Sequence, residues 1–167
     1  MLNPILKTDG NLFLDSANNI NRDARPPASV TAGGVDIVLN PNSNILIAED
    51  NKVNADLMKA MIESMGINKI AIANDGKEAI NMILSDIKFN LIIIDIMMPR
   101  INGLDLLKEI RKLYNKMPIL VVSALGDNET KNKALALGAN YYLTKPIDKD
   151  IFKQKINSLF KVITENN

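Results

Sequence analysis

Five polar residues stand out because each follows or ends a run of apolar ones. Glu49 and Asp50 close ILIAED (45–50), and Asp95 closes FNLIIID (89–95). Ser123 lies near the end of PILVVSA (118–124), and Lys145 ends NYYLTK (140–145). Each has a plain reading on its own: an Asp after a strand is commonly a helix cap, and a Lys-Pro pair an ordinary strand end. Recurrence at four separate strand ends argues instead for one shared rim. Three carboxylates crowded there would repel and raise one another's pKa values unless a cation joined them. An oxygen-only cluster calls for a hard divalent ion, and Mg²⁺ suits a small site that keeps several waters.

The rim needs a scaffold. From Asn44 onward, short apolar runs alternate with segments of helical period, the rhythm of βα units. KIAIAN (69–74) is the remaining strand candidate. Several of the five runs are continuously apolar and rich in Ile or Val, as strands buried on both faces should be. Between them, Val53, Leu57, Met61 and Met65 recur every fourth residue, with Met58 and Ile62 widening the stripe. Ala79, Ile80, Ile83 and Leu84 mark a second helix, and Leu106, Leu107, Ile110 and Leu113 a third. A fourth runs over 128–137 and stops at Gly138; Phe152, Ile156, Leu159, Phe160 and Ile163 define a fifth, started by Asp148 after Pro146. Five such units predict an α/β fold, a doubly wound five-stranded parallel sheet with right-handed crossovers. Ligands of such sheets bind outside the carboxyl ends of the strands, where the five polar residues collect.

Composition removes other chemistries. The 167 residues contain no cysteine and no histidine. Disulfides, thiol nucleophiles, Ser-His pairs, His-based zinc sites and a phosphohistidine on this chain are therefore excluded. The formal net charge of +1 gives no general attraction to nucleic acid or to an anionic membrane. MLNPILKTDGNLFLD lacks the form of a signal peptide, and no apolar run is long enough to span a bilayer, so a cytoplasmic protein is expected. Residues 1–43 include NINRDARPPASVTAGG and read as a linker or extension, with VDIVL (35–39) a candidate extra strand or docking piece. The domain is expected over 44–163, and residues 164–167 as a C-terminal tail.

Glu49-Asp50, Asp95 followed by Pro99 and Gly103, Ser123-Ala124 and Lys145-Pro146 together resemble the receiver domain of two-component response regulators. The order and spacing agree over 44–163, and EDNKVN (49–54) and KPIDKDIFKQKI (145–156) are most similar to receivers of hybrid sensor histidine kinases and phosphorelays. The resemblance implies a flavodoxin-like (βα)5 receiver fold with strand order 2-1-3-4-5. It implies that Asp95 is the phosphoacceptor, and that Mg²⁺ is held by Asp50, Asp95 and the backbone carbonyl of Met97. Glu49 would act mainly through a water on the metal. Lys145 would neutralise the transferring phosphoryl group, and Ser123 would donate to it. Tyr142 stands where the family keeps an aromatic switch, although an ordinary half-buried strand aromatic would look the same. Met97 and Leu125 occupy positions that influence dephosphorylation; both are apolar here, so slow unaided loss of phosphate is expected. Asn102-Gly103 departs from the family's frequent Asp-Gly, but either pair supports the turn.

The implied partners are a histidine kinase or a histidine phosphotransfer protein, because this chain carries no histidine of its own. Such a domain catalyses only its own phosphorylation and dephosphorylation. After the fifth helix only TENN remains, and the lysines are scattered, so direct nucleic-acid binding is not expected. The chain reads as a stand-alone receiver or as the last domain of a larger kinase. Output would pass to a protein partner, or to a second copy, through the face of the fourth helix, fifth strand and fifth helix. Three rivals remain. An aspartate-nucleophile phosphatase would need a second acid two residues after Asp95, where Met97 stands. A flavodoxin-like binder would need a phosphate loop after the first strand. A receiver-like docking module that takes no phosphate would keep the fold alone.

Overall fold

The computed structural model describes residues 4–8, 11–14 and 41–159; VDIVL, Phe160, Ile163 and the expected tail lie outside them. Pro4–Thr8 (β1) and Asn11–Leu14 (β2) pair antiparallel in a two-stranded sheet of their own. The linker reading of this segment anticipates no strand. Its sequence signal is Asp9-Gly10 between two apolar runs, a dipeptide favoured where two residues join paired strands.

The remaining elements alternate strictly: Asn44–Ala48 (β3), Lys52–Glu63 (α1), Lys69–Ala73 (β4), Gly76–Ile83 (α2), Leu91–Asp95 (β5) and Gly103–Leu113 (α3). Ile119–Ser123 (β6), Asn128–Ala136 (α4), Tyr141–Thr144 (β7) and Lys149–Leu159 (α5) follow. The five parallel strands lie in the order β4-β3-β5-β6-β7, which is 2-1-3-4-5 within the domain, as the resemblance implies. β5 and β6 are buried at every residue and β3 nearly so, whereas the edge strands β4 and β7 are only partly covered. Continuous apolar runs thus mark the strands that carry helices on both faces.

Alternate residues of the central strands feed two cores. Ile45, Ile47, Leu91, Ile93, Leu120 and Val122 pack with Met58 and Ile62 of α1 and Phe152 and Ile156 of α5. Leu46, Ile92, Ile94, Ile119 and Val121 pack with Ala79 and Ile83 of α2, Leu106, Leu107 and Ile110 of α3, and Ala134 of α4. The stripe expected on the first helix is rotated. Ala55, Met58, Met61 and Ile62 are buried, while Val53 is 75 % and Leu57 45 % exposed. A step of four residues overshoots a full turn by about 40°, so a stripe spaced by four drifts off the core face. Leu84 is likewise exposed at the end of α2.

Each helix start is fixed locally. Asn51, Asp75, Asn102 and Asp127 accept from the backbone N–H of Asn54, Glu78, Asp105 and Thr130. Asp148 does the same for Asp150 and Ile151, which places the start of α5 where the sequence predicts it.

Candidate functional site

Glu49 follows β3, Asp95 ends β5, Ser123 ends β6 and Lys145 follows β7, so parallel pairing alone brings them to one edge of the sheet. Register tightens this. Asp95 pairs across from Val122 and Ser123 from Thr144, while Lys145 N–H donates to the Ser123 carbonyl at 2.8 Å. Glu49 N–H donates to the Ala73 carbonyl at 3.0 Å, so that residue is held by the edge strand as well.

One carboxylate oxygen from each of Glu49, Asp50 and Asp95 lies within 4.8 Å of the other two. Glu49 is 1 % and Asp95 3 % exposed, whereas Asp50 faces solvent. Lys145 Nζ lies 2.6 Å from Glu49 Oε2 and 3.5 Å from Asp95 Oδ2. Glu49 Oε1 accepts from Asn51 N–H at 3.0 Å, so both oxygens of Glu49 have partners. Asp95 Oδ1 has one longer bond, from Met97 N–H at 3.3 Å.

These contacts leave Asp95 short of compensation. Burial pushes its carboxyl up to about 6, the negative charge of Glu49 adds to the rise, and Lys145 opposes it. An added cation among three oxygen donors would relieve that repulsion. Hard oxygen ligands, one of them open to solvent at Asp50, fit a divalent ion such as Mg²⁺ that keeps part of its water shell.

Gly103 allows the loop after β5 to turn back tightly. A Cβ there would stand 2.3 Å from the Asp95 carbonyl oxygen, and its N–H donates to the Ile96 carbonyl at 2.9 Å. The glycine of the sequence motif is thus explained by close backbone approach. Met97, in that loop, exposes 58 % of its surface.

Ser123 is fully buried, and its Oγ accepts from Leu125 N–H at 3.1 Å. The Tyr142 hydroxyl donates to the Leu125 carbonyl, and the ring lies in the core beneath the β6–α4 loop. Burial raises the Tyr142 pKa, against an opposing hydrogen bond with Ser123. Ser123 and Tyr142 therefore meet at Leu125, while Glu49, Asp50, Asp95 and Lys145 form the charged group. Sequence reasoning missed Asp75 and Arg100, whose side chains join the β4–α2 junction to the loop after Asp95 at 3.1 Å. An Asp-Gly before a helix signals a cap, but nothing in it signals a partner further along the chain.

Residues 45–157 match the family model of the response regulator receiver domain. A probable transcriptional regulatory protein of Picosynechococcus sp. is 36 % identical over 118 residues, covering 67 % of this chain and 47 % of that protein. Response regulator RR06 of Streptococcus pneumoniae is 33 % identical over 118 residues, covering 71 % of this chain and 53 % of its own. The chain spans about half the length of these curated relatives. Among solved structures, the receiver domain of the Francisella response regulator 1452 is similar at 38 % identity and a TM-score of 0.66, covering 72 % of this chain and 98 % of that one. A two-component response regulator from Clostridium difficile reaches 30 % identity and the same TM-score of 0.66, with 71 % and 95 % covered. Sequence, strand order and the match over 45–157 agree: this chain belongs to the response regulator receiver domain family.

Proposed function

We propose that this domain, over 44–163 and preceded by a linker or extension at 1–43, is a phosphoacceptor in two-component or phosphorelay signalling. It takes a phosphoryl group from a phosphohistidine onto Asp95. The observation that carries this is the buried Asp95 carboxylate held between a cluster of acids and a single ammonium group. Family membership supports it and points to a histidine kinase or a histidine phosphotransfer protein as donor; with no histidine in this sequence, the donor imidazole belongs to another molecule or another domain.

In the proposed reaction an Asp95 oxygen attacks phosphorus in line with the donor imidazole. An O–P bond forms, the N–P bond breaks, and the imidazole leaves with its electron pair. Mg²⁺, when bound, supplies electrostatic stabilisation of the transferring phosphoryl oxygens. Asp50, Asp95 and the backbone carbonyl of Met97 would hold it. Glu49 would act mainly through a water on the metal, since each of its oxygens already has a protein partner at 3.0 or 2.6 Å. Lys145 turns toward the phosphoryl oxygens, and Ser123 donates to one of them once it leaves Leu125. Tyr142 follows because it bonds the same loop. Output passes to another protein or to a second copy through α4, β7 and α5. The proposed setting is cytoplasmic; no described helix is long and apolar enough to cross a membrane.

Loss of the phosphoryl group is slow without a partner, because Met97 and the part-buried Leu125 offer no polar group to orient water. Met97→Asn should shorten the lifetime of the phosphorylated form; a wild type that already loses phosphate rapidly and is indifferent to this change would contradict the claim. The function itself is tested by mixing the protein and Mg²⁺ with a radiolabelled phosphohistidine donor. Label should pass to the wild type but not to Asp95→Asn. Absence of transfer from any donor or small acyl phosphate would favour a docking module instead.

A further inference from the structure

The loop that follows Asp95 is folded twice in quick succession. Met98 N–H donates to the Ile96 carbonyl at 3.1 Å, and Ile101 N–H donates to the Pro99 carbonyl at 2.8 Å. The second turn is centred on Arg100, whose φ is 68°. A three-residue turn with positive φ at a long-chain residue is strained, and persists only where its surroundings fix it.

The surroundings are the start of α2. Arg100 Nη1 lies 3.1 Å from Asp75 Oδ2. The other oxygen, Asp75 Oδ1, accepts from Glu78 N–H at 2.8 Å and caps the helix. Asp75 is itself buried, so one carboxylate ties the β4–α2 junction to the loop. Contact is close: a Cβ on Gly76 would stand 2.4 Å from the Ile101 carbonyl oxygen. Gly103 closes the far end of the loop against Ile96. Between these two fixed ends lies Met97, whose N–H reaches Asp95.

We propose that the Asp75–Arg100 ion pair is a positioning device for the Met97 segment, holding its backbone at the metal-binding edge from outside the site. The inference rests on the reading of Asp50, Asp95 and Met97 as the Mg²⁺-binding set. Neither Asp75 nor Arg100 touches the metal or the phosphoryl group. Their contribution is to make the strained turn the preferred one, so the ion meets a prearranged carbonyl rather than a mobile loop. Mutating partners that orient metal ligands from behind commonly lowers metal affinity by about 10–100-fold.

Two variants separate this role from a structural one. Asp75→Asn keeps an effective helix cap while removing the charge that holds Arg100. Arg100→Gly removes the ion pair and also relieves the positive φ, so the folded state gains in backbone freedom what it loses in pairing. Mg²⁺ affinity is read by calorimetric titration, and the thermal midpoint is read without Mg²⁺. Both variants should weaken Mg²⁺ binding by about tenfold, with Arg100→Lys recovering part of it. The midpoint of Arg100→Gly should stay level or rise. Affinities equal to wild type in both variants, whatever the midpoints do, would overturn the proposal while leaving Asp95 as phosphoacceptor intact. A wild type that binds no Mg²⁺ would overturn the metal-site reading and this inference with it.

Discussion

α3 and α4 leave neighbouring strands of the same sheet, begin with the same kind of Asx cap, and are held to it very differently. α3 buries Gly103, Leu106, Leu107 and Ile110, and its start touches the Asp95 carbonyl edge. α4 buries Ala134 alone. Its far end is gripped instead by a side chain of α3: Arg111 donates to the Gly138 carbonyl through Nε at 3.0 Å and through Nη2 at 2.6 Å. At its near end, the Leu125 carbonyl takes the Tyr142 hydroxyl. Packing fixes the half of the site that must present a carboxylate, while a few polar contacts hold the half proposed to change partners. Polar contacts can be exchanged one at a time; a packed helix face cannot.

The contrast breaks most sharply by truncation. Leu107→Ala should cost about 3 kcal/mol in urea unfolding, because Leu107 is fully buried against the sheet. Leu135→Ala on α4, at a residue 37 % exposed, should cost well under that. Equal losses would mean that α4 is packed as firmly as α3.

The packed half also holds its carboxylate where ionisation is disfavoured. With Asp95 raised from 3.8 to about 6, the folded state bears a cost that is full above pH 6. That cost shrinks as pH falls through the folded value and is gone below the ordinary one. Asp95→Asn should therefore stabilise the Mg²⁺-free protein by roughly 1–3 kcal/mol at pH 7.5, and by nothing below about pH 3. Mg²⁺ should stabilise the wild type at pH 7.5 and progressively fail to do so as pH drops through about 6. A stability difference that ignores pH would contradict the charge argument.

Smaller effects sharpen the comparison at the two ends of α4. Arg111→Ala should cost about 1–2 kcal/mol and speed amide exchange around Gly138 and Asn140, because Gly138 loses a charged donor. Tyr142→Phe should cost about 1 kcal/mol or less and loosen the β6–α4 loop at Leu125, leaving α3 unchanged. Exchange that accelerates throughout α3 as well would show one rigid unit in place of two.

These differences also mark what was legible from sequence. Continuous runs such as LIIID and ILVVS identified the central strands because burial on both faces leaves no polar alternation. Parallel pairing then brought Glu49, Asp95, Ser123 and Lys145 to one edge, as expected from their places at strand ends. Face assignments fared worse on α1, where Val53 and Leu57 turn to solvent, because period-four spacing drifts around a helix. Arg111 and the Asp75–Arg100 pair were illegible. Their partners are a carbonyl 27 residues on and a carboxylate in a different βα unit, and neither a periodicity nor a motif records such contacts. The β1–β2 pair had its signal in Asp9-Gly10, outweighed by the Pro- and Asn-rich stretch that follows.

The central claim is that the packed half of the sheet edge exists to make Asp95 accept a phosphoryl group. The most direct test is intact-mass measurement after incubation with Mg²⁺ and a small acyl phosphate. Wild type should gain a single phosphoryl group, none should be gained when Mg²⁺ is chelated before the donor is added, and Asp95→Asn should gain none. Uptake by Asp95→Asn equal to wild type, or no uptake by the wild type at any Mg²⁺ concentration, would contradict it.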